Sequence, residues 1–105
     1  IKKMNAKEFL QNIPSKVNPE DNKDLNTALH FDFKDELYTL TVTNGAVEFL
    51  EGLVGEAEIT LKAKAEDFAK IASGEMNPMT AMMFGKLKVS NPAAMMKYAK
   101  MLGFM

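Results

Sequence analysis

The 105 residues make one ordinary domain, and 47% hydrophobic against 26% charged is the balance of a globular chain rather than a disordered or fibrous one. Thirteen lysines and no arginine face fourteen carboxylates, so the net charge of -1 offers neither a field nor stacking groups for nucleic acid. The absence of cysteine and the presence of one histidine exclude disulfides, thiolate nucleophiles, iron–sulfur clusters and cysteine zinc sites, and make histidine-based triads improbable.

No apolar run approaches the ~18–20 residues that span a membrane, and Ile1-Lys2-Lys3-Met4 lacks the apolar core of a secretory signal, so a soluble, cytoplasmic chain with a single domain over 1–105 is expected.

Ala6, Phe9, Leu10 and Ile13 recur at the spacing of one helical face, with Asn5 and Glu8 placed as a capping box and Pro14 as the stop. Residues 15–24 are polar and read as a solvated loop. From Leu25 to Ala63 the period changes to two. Leu29, Phe31 and Phe33 share a face, as do Tyr38, Leu40 and Val42, with a turn at Lys34-Asp35-Glu36.

Asn44-Gly45 fits a type I′ turn, in which both central residues need positive φ, and leads into a third strand at Val47 and Phe49. Gly52-Leu53-Val54-Gly55 reads as a loop to a fourth strand, where Ala57, Ile59, Leu61 and Ala63 alternate with polar residues. A sheet with one apolar face needs a helical cover.

That cover begins with Phe68, Ile71 and Ala72 on a helix over about 65–73, closed by Gly74. Asn77-Pro78 reads as a cap followed by proline at the first helical position, opening a short helix that ends at Gly85. Lys86 to Val89 make a fifth strand. Asn91-Pro92 repeats the cap and starts a last helix with Met95, Tyr98, Ala99, Leu102 and Met105 on one face.

Eight of nine methionines fall at or after Met76. Methionine is flexible and polarizable, so it conforms to an apolar guest of variable shape, although it fills cores equally well. Met96, Met101 and Phe104 lie off the docking face of the last helix and need another cover: an apolar ligand, a partner protein or a second copy of the chain.

Catalytic constellations are missing. His30 has no Asp or Cys at metal spacing, Asp21, Lys23 and Leu25 cannot serve as the first calcium-loop ligands, and Asp35-Glu36 and Glu66-Asp67 are adjacent pairs rather than facing dyads. No glycine fingerprint joins a strand to a helix, so neither a nucleotide nor any other cofactor is expected.

Taken in order, Ala57-Glu58-Ile59-Thr60-Leu61, Glu66-Asp67-Phe68, Gly74, Asn77-Pro78, Thr80-Ala81 and Gly85-Lys86-Leu87-Lys88-Val89 resemble the sterol-carrier-protein type 2 family of lipid-transfer domains. The resemblance implies an α+β fold: a five-stranded mixed, mostly antiparallel sheet with helices over one face and an apolar tunnel for fatty acid, acyl-coenzyme A, phospholipid or sterol. By position, Phe68, Ile71, Met79, Met82, Met83, Phe84, Leu87, Met95, Met96, Ala99 and Leu102 would line or close it.

Departures from the family pattern are Met79 and Phe84 where glutamine is frequent, which removes polar anchors, and Lys64 where a serine cap is common. The C-terminal Gly103-Phe104-Met105 does not match the peroxisomal tripeptide of eukaryotic members. The implied function is non-enzymatic lipid binding and transfer, with transient membrane contact. The alternatives are a homodimerisation or interaction module, and an accessory domain that presents lipid to a separate enzyme.

Overall fold

The computed structural model describes residues 4–102, with the side chain of Leu102 outside that description. Five strands, β1 (Thr27–Asp32), β2 (Leu37–Thr43), β3 (Ala46–Glu51), β4 (Ile59–Ala63) and β5 (Leu87–Val89), form one sheet in the order β3-β2-β1-β4-β5. Its pairs are antiparallel except β1 with β4, which run parallel. Helices α1 (Ala6–Lys16), α2 (Ala65–Ala72), α3 (Pro78–Met83) and α4 (Pro92–Leu102) complete the α+β fold expected from the sequence.

The capping box closes as its residue types demand. Asn5 Oδ1 accepts from the Glu8 N–H at 2.8 Å, and Glu8 Oε1 accepts from the Asn5 N–H at 3.3 Å. Pro14 does not end α1, which continues to Lys16. A proline this close to the C-terminus removes one helical bond, while the Val17 N–H still reaches the Ile13 carbonyl at 3.1 Å.

The polar stretch beyond it is also more ordered than a solvated loop. A 3₁₀ turn at Pro19–Asn22 lies against the β2–β3 hairpin, and the Gly45 N–H donates to the Leu25 carbonyl. Asn44 and Gly45 have φ of 51° and 84°, as a type I′ turn requires. Glycine is needed there twice over, because a Cβ on Gly45 would stand 2.6 Å from the carbonyl oxygens of Pro19 and Asn22.

One face of the sheet packs on α1 and α2. Leu29, Phe31, Leu40, Ile59 and Leu61 are fully buried there against Leu10 and Phe68. Phe68 meets Phe9, Phe31 and Phe33 with ring centroids 5.8, 5.7 and 5.0 Å apart, a cluster in which edge-to-face contacts predominate.

The opposite face carries a feature that the alternation pattern does not report. From the edge strand β3 the chain must pass β2 and β1, about 14 Å at ordinary strand spacing, to reach β4. Residues 52–58 make that crossing. Thr39 Oγ1 donates to the Gly52 carbonyl and accepts from the Val54 N–H, and His30 Nε2 lies 3.0 Å from the Val54 carbonyl oxygen. Thr39 and His30 are register neighbours on this outer face, so the single histidine serves to strap a connection.

Candidate functional site: an apolar groove at the sheet edge

Asn77 Oδ1 accepts from the Met79 and Thr80 N–H groups at 2.8 and 3.3 Å, which fixes the start of α3. Asn91 Oδ1 does the same for Ala94 at 3.2 Å in α4. The two capped helices stand beside the short edge strand β5. That strand pairs with β4 so that Leu87 and Val89 point to the same face as Leu61 and Ala63.

Between α3, β5 and α4 lies an open groove of about 280 Å³, walled by Pro78, Met79, Met82, Leu87, Val89, Pro92, Met95, Met96 and Ala99, with Asn77 as its one polar side chain. Other hollows are larger and differ in chemistry. One of 580 Å³ is lined by Lys62, Lys64, Lys70, Lys86 and Lys88 with Glu66 and Asp67, and another of 510 Å³ runs among Lys16, Asp21, Asn22, Lys97 and Lys100. A hollow of 440 Å³ between the starts of α1 and α2 mixes alanines with Glu36, Glu66, Lys70 and Glu75. Among these four hollows of the described residues, the first presents an almost unbroken apolar wall, the property that small-molecule sites share.

Of the residues assigned to the ligand from the sequence, Met79, Met82, Leu87, Met95, Met96 and Ala99 come together on this groove. Phe68 and Ile71 are instead buried in the main core. Met83 and Phe84 lie outside the groove, 83% and 73% exposed. The backbone of Leu102 ends α4, and its side chain falls outside the described part. Pro78, Val89 and Pro92 line the groove without having been assigned to it; the two helix-opening prolines were legible as N1 residues, but their place on its wall depends on how α3 and α4 face each other.

Met101 also departs from expectation. It packs against the hydrophobic core rather than lacking a partner, and it lines a hollow together with Val17 and Leu25. Phe104 lies outside the described residues.

A polar anchor holds α4 in place. Tyr98, 2% exposed, donates its hydroxyl to Glu58 Oε1 at 2.9 Å, and Thr27 Oγ1 donates to the same oxygen at 2.5 Å. These two hydrogen bonds, the Thr27 bond first, hold the Glu58 carboxyl below its ordinary pKa by favouring the charged form. The anchor ties the last helix to the beginnings of β1 and β4.

Among the described residues no cluster of His, Cys, Asp or Glu is arranged to hold a metal, and no helix is long and apolar enough to cross a membrane.

The described residues thus form a small α+β shell with a methionine-lined groove at its sheet edge. The chain belongs to the SCP-2 sterol transfer family, whose family model matches residues 6–103. Among solved structures, a palmitated sterol carrier protein 2-like 2 of Aedes aegypti superposes with a TM-score of 0.67 at 16% identity, covering 92% of this chain and 90% of that one.

The stereoselective inverting sec-alkylsulfatase Pisa1 from Pseudomonas sp. superposes with a TM-score of 0.76 at 20% identity, covering 93% of this chain but 16% of the sulfatase. At these identities the likeness establishes the fold. By sequence, the linear primary-alkylsulfatase of Pseudomonas sp. (strain ATCC 19151) is 30% identical over 91 residues, so that the match takes in 85% of this chain and 17% of that enzyme.

Proposed function

We propose that this domain binds the apolar part of a lipid or fatty-acyl molecule in the α3–β5–α4 groove, without catalysing its conversion. The observation that carries this reading is the wall itself: four methionines, Leu87, Val89 and Ala99 around an open space, beside a core that is otherwise closed. Family membership and the palmitated insect relative support it.

The groove's 280 Å³ sits at the lower edge of the roughly 300–1,000 Å³ of small-molecule sites, so a long acyl chain would require α4 to yield. Methionine side chains permit that more readily than branched ones, and closure of α4 over a bound chain would turn the groove into a tunnel. Burial at about 0.8 kcal/mol per methylene gives a sixteen-carbon chain on the order of 10 kcal/mol, against an association cost of about 4–15 kcal/mol. Affinity is then moderate and tolerant of chain type, as suits a carrier that must release its cargo.

Exposed Met83 and Phe84 directly precede Gly85 and Lys86 of the lysine-lined hollow, a pairing of apolar and cationic surface that suits brief contact with an anionic lipid surface. The lack of cysteine fits a cytoplasmic setting.

The alkylsulfatase matches favour a second reading, in which the domain serves as an accessory that gathers an alkyl-chain substrate for a separate catalytic unit. Both readings place the alkyl chain in the same groove. The test is a titration of delipidated protein with a dansyl-labelled undecanoic acid. Saturable binding is expected, and Met82→Glu should weaken it about tenfold or more by placing a charge on the apolar wall. Unchanged affinity in that variant would remove the groove from the proposal, and no saturable binding of fatty acid, acyl-coenzyme A, phospholipid or alkyl sulfate would remove the proposal itself.

A further inference from the structure

Two methionines on the groove are open to solvent although they face an apolar space. Met79 is 61% and Met96 56% exposed, whereas Met95 on the same wall is 8% exposed. They stand on opposite sides, one on α3 and one on α4, so both flank the way in. Leucine would supply a similar apolar volume there. What methionine adds, besides pliancy, is a thioether sulfur that a two-electron oxidant can reach.

We propose that Met79 and Met96 are sites of reversible oxidation by peroxide, and that their sulfoxides shut the groove to apolar ligands. This inference rests on the groove being the ligand site. The step transfers one oxygen atom from a hydroperoxide to the thioether: the O–O bond breaks, an S–O bond forms, the sulfide is oxidised to the sulfoxide and hydrogen peroxide is reduced to water. Reversal by a thiol-dependent methionine sulfoxide reductase consumes two electrons and releases the oxygen as water.

The sulfoxide carries a strong dipole and an acceptor oxygen. The one side-chain donor on the groove wall is Asn77 Nδ2, held at the start of α3 by the bonds that its Oδ1 accepts, and the rest of the wall offers no polar side chain to receive a sulfoxide oxygen. An incoming acyl chain would strip water from the oxygen without replacing its hydrogen bonds, which opposes binding. Met83 supplies an internal contrast: at 83% exposure it oxidises at least as readily, but it lies off the groove and its sulfoxide has no ligand to oppose.

The experiment treats the intact chain with hydrogen peroxide, removes the oxidant with catalase, maps sulfoxides by peptide mass spectrometry and titrates dansyl-labelled undecanoic acid. Met79, Met83 and Met96 should gain oxygen well before Met95, and Kd should rise about tenfold or more. Reductase treatment should restore it. Met83→Leu should show the same ratio of oxidised to untreated Kd as the parent chain.

In Met79→Leu combined with Met96→Leu that ratio should fall towards one, whatever the starting affinity of the variant, and each single variant should fall between. Oxidation of Met95 at the same rate, or an unchanged Kd in fully oxidised protein that binds before treatment, overturns the inference and leaves the groove reading intact. Failure of the untreated chain to bind the probe, fatty acid, acyl-coenzyme A, phospholipid or alkyl sulfate overturns both.

Discussion

The middle of the sheet and its β5 edge are packed by different chemistry. At β1, β2 and β4 the core is built from Phe, Leu and Ile with little exposure, and Phe68 is enclosed by three other rings. At β5 the neighbours are methionines, prolines and alanines, and a space remains. Branched and aromatic side chains have few rotamers and interlock to crystal-like density, so they close a core. Methionine settles for looser contacts, so the same fold carries a rigid half that sets the frame and an adaptable margin that can admit a guest.

Phe68→Ala breaks that contrast most severely. It should cost about 3–5 kcal/mol in denaturant unfolding, because a ring enclosed on all sides leaves a cavity that the sheet cannot fill. A loss below 1 kcal/mol would mean that the rigid half is no better packed than the margin.

Tyr98→Phe comes next, at about 1–2 kcal/mol, since it removes a hydrogen bond to a carboxylate and leaves the ring in place. Its sharper signature is local. Amide exchange in α4 should quicken while exchange in β1 and β2 does not, and equal acceleration in both would show that the margin has no independent motion.

The anchor also sets a pH dependence. Glu58 has a depressed folded pKa, so its contribution is present above the unfolded value of about 4.3 and is lost as pH falls through the folded one; α4 exchange should rise there, and less so in Tyr98→Phe.

The smallest effect belongs to the rigid half. Burial first, then a hydrogen bond from the Tyr38 hydroxyl to Glu36 Oε1 at 2.6 Å and the charges of Glu36 and Glu51, push the Tyr38 pKa from 10.0 up to about 12. A raised folded pKa favours the protonated form. Its contribution is therefore complete below about pH 10 and is lost as pH rises from there to about 12, a decline in thermal stability that Tyr38→Phe should flatten.

Periodicity together with cap and turn residue types located the strands, the capped helices and the Asn44-Gly45 turn, because those follow from neighbours within a few residues. The assignment of apolar residues to one face of β1, β2 and β4 succeeded for the same reason, and the family resemblance supplied the mixed five-stranded sheet and pointed to lipid.

The family resemblance carried Phe68 and Ile71 onto the ligand wall, and local pattern could not separate closed core from groove, since both regions ask for apolar side chains at helical spacing. Nor could it find a partner for Met101, whose packing on the core depends on residues far from it in the chain. Crossing of the outer face by residues 52–58, strapped by Thr39 and His30, was equally invisible; polar alternation in a strand looks the same whether water or another segment covers it.

The amino-acid order thus determined the elements, their caps and the wealth of methionine after Met76, all of them local or compositional properties. Only the tertiary arrangement decided which methionines pack, which stand beside an open space and which face water. Those outcomes depend on the distance between α3 and α4 across β5, a quantity set by contacts among residues far apart in the chain.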